Sequence, residues 1–303
     1  MPNSTREALG WSEERWTIIQ GAIERAIART AKCRQVVPKG PEKIGDKSVV
    51  VPQIGGALPF AYAPDIIATP VHIFVNLRLD DQHINDELAV IRLVEASAAR
   101  LGALEDEEVI LGGPALLAGA PAPPPPPPQF GRQPRTAGLQ RARLNVLPPV
   151  TVPPAPPGVT KIKPPRARAG KPTGDELLAA ISTAKALLEN AGRPGACGLL
   201  LSTGLLATLG LPPVAGAPPL IQTVEQIIGS SEVVGTSALD GTFAPNAIAA
   251  ILFRLEPAAV DTVHTMLPAA TFLGRNGGQT DLQVEEEIVV RILDQTAIHH
   301  IAY

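Results

Sequence analysis

The chain has 303 residues with a net charge of −3, and 45% of its residues are hydrophobic although only 3% are aromatic. This apolar content excludes a wholly disordered chain. Two cysteines, Cys33 and Cys197, are too few for a disulfide-stapled secreted domain or a multi-cysteine zinc site. No stretch approaches the roughly 20 apolar residues that cross a bilayer. The first residues lack a secretory-signal pattern, so we expect a cytoplasmic protein.

The first predicted element is an amphipathic helix that begins after Ser12. Ser12 can cap its N-terminus, and Glu13 and Glu14 suit the positive end of the helix dipole. Apolar residues at helical spacing then form one stripe: Trp16, Ile19, Ile23, Ala26 and Ile27. Strands are predicted over 48–51 and 71–79, the second because apolar and polar residues alternate along it.

A long helix is predicted over 84–111, and it ends in the acidic run Glu105, Asp106, Glu107 and Glu108. Acids near the C-terminus of a helix oppose its dipole, so this run needs another partner. Four consecutive residues point all around a helix, which disfavours a metal site. We therefore expect a solvated or inter-subunit charged patch.

Residues 114–172 differ sharply from the rest of the chain. They contain 18 of the 33 prolines, and the stretch from 109 to 174 has no acid. Its bases are Arg132, Arg135, Arg141, Arg143, Lys161, Lys163, Arg166, Arg168 and Lys171. We interpret this region as an extended, flexible, basic insertion. Two other interpretations remain: it binds nucleic acid, although Phe130 is its only aromatic residue, or it binds an acidic protein surface.

The second structured part opens with a capping box formed by Thr173 and Glu176. Beyond that helix we predict a buried strand, a short helix and three further strands, over 197–202, 223–228, 232–235, 248–255 and 283–294. In the last strand, Glu286 shares one face with Val284, Ile288, Val290 and Ile292. Helices and strands do not alternate strictly, so the fold class is α+β.

No catalytic constellation is present in the sequence. It contains no phosphate-binding loop, dinucleotide fingerprint or metalloprotease motif. Ser202 lacks the first glycine of a nucleophile elbow. We expect His299 and His300 to lie in a simple C-terminal tail, and Cys33 and Cys197 to be buried small hydrophobic residues. We accordingly expect no enzyme activity, no cofactor and no metal.

Several short motifs follow one another in an order that resembles the encapsulin shell proteins, the linocin-type family with the tailed-phage capsid fold. They lie at 12–19, 34–41, 105–112, 175–202, 219–237 and 285–293. The long insertion and the segment from Glu256 to Val263 depart from the family pattern. The resemblance implies an α+β capsid-like fold with a long spine helix, peripheral and axial domains, and the Pro-rich basic insertion. The parts would be 1–113, 114–172 and 173–303.

The resemblance also implies a function. Many copies would assemble into an icosahedral shell, an encapsulin nanocompartment, in the cytoplasm. The shell would package cargo enzymes that carry short C-terminal targeting peptides, and peroxidases and ferritin-like enzymes are common cargoes in the family. Neither a membrane nor nucleic acid is expected as a partner.

Two sites are carried over from the family. Cargo peptides would dock near the first helix, at Trp16, Ile19, Ile23, Ile27 and Arg34; the alternative is that the apolar stripe packs only within its own subunit. A loop at the five-fold axis would line a pore with Leu211, Pro212, Pro213, Val214 and Ala215. That loop carries no charge, so its pore would be electrostatically neutral.

Two other functions remain open at this point. A major capsid protein of a tailed phage or prophage would share the fold and package DNA, which a strong DNA affinity would favour. An enzyme is the third class, because linocin-type proteins have been labelled bacteriocins or proteases. Activity that survives complete removal of cargo would favour it.

Overall fold

The computed structural model describes residues 9–55, 61–111, 130–132, 159–161, 172–212, 217–240 and 248–302. Helices α1 to α5 span Glu13–Thr30, Glu87–Leu111, Gly174–Asn190, Thr203–Leu209 and Leu220–Ile228. Strands β1 to β5 span Val49–Gly55, Ala61–Ala68, Val71–Asp80, Phe130–Arg132 and Val159–Lys161. Strands β6 to β11 span Cys197–Ser202, Val233–Thr236, Ile248–Arg254, Val260–Asn276, Gln279–Ile292 and Ile298–Ala302.

Helix α1 begins as its sequence predicts. The Ser12 hydroxyl accepts a hydrogen bond from the backbone N–H of Arg15, at 3.2 Å. Trp11 and Trp16 pack against each other across this cap, with their ring centroids 5.0 Å apart and their planes tilted by 51°. The Arg15 guanidinium lies 4.2 Å from the centre of the Trp11 ring. These contacts confirm the predicted start of the helix.

Helix α2 is the long spine helix, and it begins at Glu87 rather than at Ile84. Asp86 accepts from the N–H of Ala89 at 3.1 Å and caps the helix there. Near its end, Gly102 permits close contact with α1, because a Cβ at this position would lie only 2.5 Å from the Thr30 hydroxyl. The two helices therefore pack tightly and cover the same sheet.

That sheet has four strands in the order β4-β3-β10-β9, with β10 antiparallel to both β3 and β9. Strand β3 buries every second residue, as its alternation predicts. The buried faces of β3 and β10 form the first core together with α1 and α2.

The second sheet has five strands in the order β5-β11-β8-β6-β7. Helices α3 and α5 supply apolar side chains to its core, which includes Leu177, Ile181, Val224 and Ile228. The capping box of α3 is confirmed, since Thr173 and Glu176 exchange hydrogen bonds of 2.8 and 3.3 Å.

The first sheet combines strands that lie far apart in the sequence. Residues 260–292 form β9 and β10, and they pair with β3 in the first sheet. Short strands β4 and β5 come from the Pro-rich region, and each forms one edge of a sheet. The rest of 114–172 lies outside the described residues, so its flexibility stays a prediction.

Several strands differ from the sequence-based expectations, among them β2, which was not predicted. Strand β9 was not predicted, because Pro268, Gly274 and two adjacent alanines interrupt its pattern. Strand β11 contains His299 and His300, which are buried between β5 and β8. The expectation of a simple tail there was wrong, because this segment completes the second sheet.

Candidate functional site

The apolar stripe of α1 is buried within its own chain. Trp16, Ile19, Ile23 and Ile27 all belong to the first core, and Ile23 is fully buried. A peptide that docked on α1 would meet the exposed residues of the helix before it met this stripe. Cargo docking on these residues stays a prediction.

The fifth predicted docking residue, Arg34, is the centre of a buried ionic cluster. It lies in a short 3-10 turn, Cys33–Gln35, directly after α1. Its Nε donates to both carboxylate oxygens of Glu105, at 2.7 and 2.6 Å, and its Nη2 donates to Glu286. Both glutamates are fully buried, whereas 25% of the Arg34 side chain is exposed. We call Arg34, Glu105 and Glu286 the Arg34 cluster.

Asp106 joins the same region to the second sheet. Its carboxylate accepts from the backbone N–H groups of Lys32 and Cys33, at 3.1 and 2.7 Å. It also accepts from the hydroxyl of Thr236 at 3.0 Å, at the end of β7. One buried carboxylate therefore connects α2, the turn after α1 and β7.

The surroundings of the Arg34 cluster change the pKa values of its members. Burial raises the pKa of Glu105 well above its usual value, and the nearby charge of Glu286 raises it further. Burial also raises the pKa of Glu286, while Arg34 lowers it. Burial opposes the charge of Arg34, but Glu286 and Glu105 raise its pKa overall. The pair of glutamates thus has a higher proton affinity than ordinary carboxylates.

His264 on β9 is the neutral neighbour of the cluster. Its Nε2 lies 4.0 Å from Glu286, and burial lowers its pKa to about 4. Neither ring nitrogen has a hydrogen-bond partner among the described residues. A histidine with this pKa carries no charge at neutral pH.

The expectation of a solvated or inter-subunit acidic patch on α2 was wrong. Glu105, Asp106 and Glu108 are buried in their own chain. Arg34 and backbone N–H groups compensate the first two, although these partners lie more than 70 residues away in sequence. Sequence reasoning also missed the role of Glu286, whose signal was an acid on an otherwise apolar strand face.

We predict that Asp106→Ala destabilises the chain by about 1–3 kcal/mol for each buried donor that loses its acceptor. Urea unfolding at neutral pH measures the change. Asp46→Ala is the control, because Asp46 is exposed and its loss should change little. Equal stability of the two variants would contradict the role assigned to Asp106.

A second feature is the antiparallel hairpin of β1 and β2. Its inner face packs on the first sheet, where Val49 contacts Val263 and Val289. On its outer face, Val50 and Ile67 are directly opposite each other, and they are 53% and 72% exposed. The hairpin therefore presents a pair of adjacent β-branched side chains to the outside.

Only part of the predicted pore loop is described. Leu211 and Pro212 are exposed just after α4. Pro213, Val214 and Ala215 lie outside the described residues. The pore stays a prediction.

The described residues contain no group of three or more His, Cys, Asp or Glu side chains that could hold a metal ion. Cys33 and Cys197 are free and buried, which confirms their predicted place in the interior. In the part of the chain with assigned structure, no helix is long and apolar enough to span a bilayer.

Comparison with solved structures identifies the fold. A virus-like particle protein from Pyrococcus furiosus matches with a TM-score of 0.67 and 15% identity, covering 96% of this chain and 100% of that chain. The capsid of Myoviridae phage XM1 matches with a TM-score of 0.59 and 11% identity, covering 90% of this chain and 91% of that chain. The holo-SrpI encapsulin complex from Synechococcus elongatus PCC 7942 matches with a TM-score of 0.52 and 13% identity, covering 90% of this chain and 86% of that chain.

No protein-family model and no curated protein matches the sequence. The structural matches nevertheless extend over most of both chains in each comparison. The protein therefore has the fold of tailed-phage capsid proteins, as the sequence resemblance implied. Both encapsulin and phage capsid structures share this fold with it.

Proposed function

We propose that many copies of this chain assemble into a closed shell and that the chain itself performs no catalysis. The observation that carries this proposal is the fold, which matches the whole Pyrococcus virus-like particle subunit. The exposed pair Val50 and Ile67 supports it further, because exposed apolar side chains gain stability when another surface covers them.

Within this class, we favour an encapsulin nanocompartment in the cytoplasm. The order of sequence motifs supports this choice, as does the similarity to the encapsulin of Synechococcus. Cargo enzymes would be held on the inner wall by short C-terminal peptides near α1, and peroxidase or ferritin-like enzymes fit this role. Membership of this chain in the linocin-type subfamily of encapsulins is also proposed.

Electron microscopy of the purified full-length chain after size-exclusion chromatography tests assembly. We expect closed, hollow particles of uniform size. Monomers or small oligomers under gentle conditions would contradict the shell.

The second candidate is a capsid protein of a tailed phage or prophage that packages DNA. It is favoured by the phage XM1 capsid, whose TM-score of 0.59 exceeds the 0.52 of the Synechococcus encapsulin. Native-source particles distinguish the two: nuclease-resistant DNA inside them supports a capsid, and an enclosed enzyme identified by mass spectrometry supports an encapsulin.

We predict that Ile67→Glu prevents or severely reduces assembly, because it places a charge where an apolar contact is expected between copies. Sedimentation velocity measures the fraction of chain in particles. Ile67→Val is the matched control and should assemble normally. Circular dichroism must show that Ile67→Glu is folded, and normal assembly of a folded Ile67→Glu would contradict a role for the hairpin.

A further inference from the structure

We propose that the Arg34 cluster is a proton-dependent junction between α2, the turn after α1 and β10. With one proton bound, the cluster holds these three segments together firmly. After it loses that proton, it holds them more weakly. The cluster joins segments that are distant in sequence: Arg34 follows α1, Glu105 lies near the end of α2, and Glu286 lies on β10. A change in the charge of one member therefore acts on all three segments.

The number of charges in the cluster is unbalanced. One guanidinium faces two fully buried carboxyl groups. With both glutamates ionised, the cluster carries a net charge of −1 in a region of low dielectric constant, which is costly. One bound proton makes the cluster neutral and leaves Arg34 paired with a single carboxylate.

Hydrogen bonding compensates the charge of Glu286 only in part. Its Oε2 accepts from Arg34, whereas its Oε1 has no partner among the described residues. The ladder between β9 and β10 is irregular at this residue and just after it, with register shifts between Glu285 and Glu287 and between Glu287 and Ile288. Bulges of this kind redirect side chains at special positions.

Groups on α2 and the turn after α1 do not supply the missing positive charge. Asp106 is an additional carboxylate, and backbone N–H groups and a hydroxyl already bind it. Glu108 is a further buried acid on α2. Burial raises the pKa of Cys33, so this thiol stays neutral.

Groups on the strands do not supply the missing positive charge either. His264 on β9 is neutral at ordinary pH because of its low pKa. Lys39 is exposed and pairs with Glu42 at 2.7 Å. On β3, the residue opposite Glu286 is Ile73. The neighbours Glu285 and Glu287 alternate to the opposite face of β10, where they bind Thr271 and Thr265.

The sign of the pH dependence follows from the raised pKa values. In the unfolded chain a glutamate loses its proton near its ordinary pKa of 4.5. In the folded chain the Arg34 cluster keeps its proton to higher pH, because burial raises the pKa of both glutamates. The stabilisation that the bound proton provides is complete below pH 4.5, and it is lost as the pH rises through the pKa that the cluster has in the folded chain.

The test compares the full-length chain with its Glu105→Gln variant. The amide stays neutral at every pH and still offers Arg34 an oxygen. From about pH 7 to about pH 9, where His264 is neutral in both the folded and the unfolded chain, the denaturant midpoint of the wild type should fall, and this fall should be smaller in Glu105→Gln. The part that remains in the variant comes from His72, whose pKa is raised by its hydrogen bond to Glu285. Asp281→Asn is the matched control: it neutralises a carboxylate paired with the exposed Arg78 and should keep the wild-type slope.

Infrared spectroscopy gives a direct second measurement. The wild type at neutral pH should show the carbonyl band of a protonated carboxylic acid, and Glu105→Gln or Glu286→Gln should lose it. Absence of the band from the wild type would overturn the proposal even if neither variant folds.

His264→Asn separates the cluster from its histidine neighbour. We expect this variant to keep both the slope and the infrared band. A slope that persists in Glu105→Gln but disappears in His264→Asn would assign the proton to His264 and overturn the proposal.

Discussion

Arg34→Ala is expected to destabilise the folded chain by about 3–5 kcal/mol at neutral pH, the range typical of removing one partner of a buried ion pair. The substitution leaves Glu105 and Glu286 fully buried without the cation that binds both of them. Their proton uptake would recover part of this loss, so the cost should be smaller in acid. Urea unfolding at several pH values measures both effects.

Arg78→Ala is the control for this prediction. Arg78 also binds a carboxylate, Asp281, at 2.5 Å, but its side chain is 60% exposed. An exposed pair contributes at most about 1 kcal/mol, so this variant should remain close to the wild type. Similar losses from Arg34→Ala and Arg78→Ala would show that burial does not set the strength of the Arg34 cluster.

Ile23→Asp is expected to prevent stable folding. Ile23 is fully buried in the first core. Truncation of a buried isoleucine to alanine already costs about 2–5 kcal/mol, and aspartate adds the cost of burying a carboxylate. Soluble yield and thermal unfolding measure the effect.

Thr17→Asp is the matched variant, because it introduces the same side chain at an exposed position of α1. It should fold normally. Cargo loading can therefore be tested with Thr17→Asp, whereas loss of cargo in Ile23→Asp would reflect loss of the fold. A stable, soluble Ile23→Asp protein would contradict the packing described for α1.

Local patterns in the sequence were sufficient to predict several elements. Ser12 and the apolar stripe predicted α1, the alternation in 71–79 predicted β3, and Thr173 with Glu176 predicted the start of α3. These signals depend on neighbours within a few residues, so they can be read without the fold. The order of motifs then indicated the capsid-like architecture.

The Arg34 cluster could not be predicted in the same way. Arg34 and Glu105 are 71 residues apart, and Arg34 and Glu286 are 252 apart. An acidic run in a sequence predicts a solvated surface unless the distant cation that binds it is known. A glutamate among apolar residues on one face of β10 was the available hint, since a buried acid needs a partner.

Strand β9 escaped prediction for a different reason. It is long, but bulges break its pairing with β10, and Pro268 lies within it. The period of two is therefore lost along part of the strand. Its place in the sheet depends on β10 and on the segment around Lys39, which pairs with Thr262 on its other side.

Strands β4 and β5 have three residues each, and each terminates one side of a larger sheet. A long bare edge would offer a row of unpaired N–H and C=O groups to any other copy, and growth from edge to edge leads to aggregation. In the proposed shell, many identical edges would meet at high local concentration. Strand β4 pairs with residues 73–75 of β3, and β5 pairs with residues 300–302 of β11. Because these added strands are too short to continue a ladder, we expect them to limit edge-to-edge association at the positions that they cover.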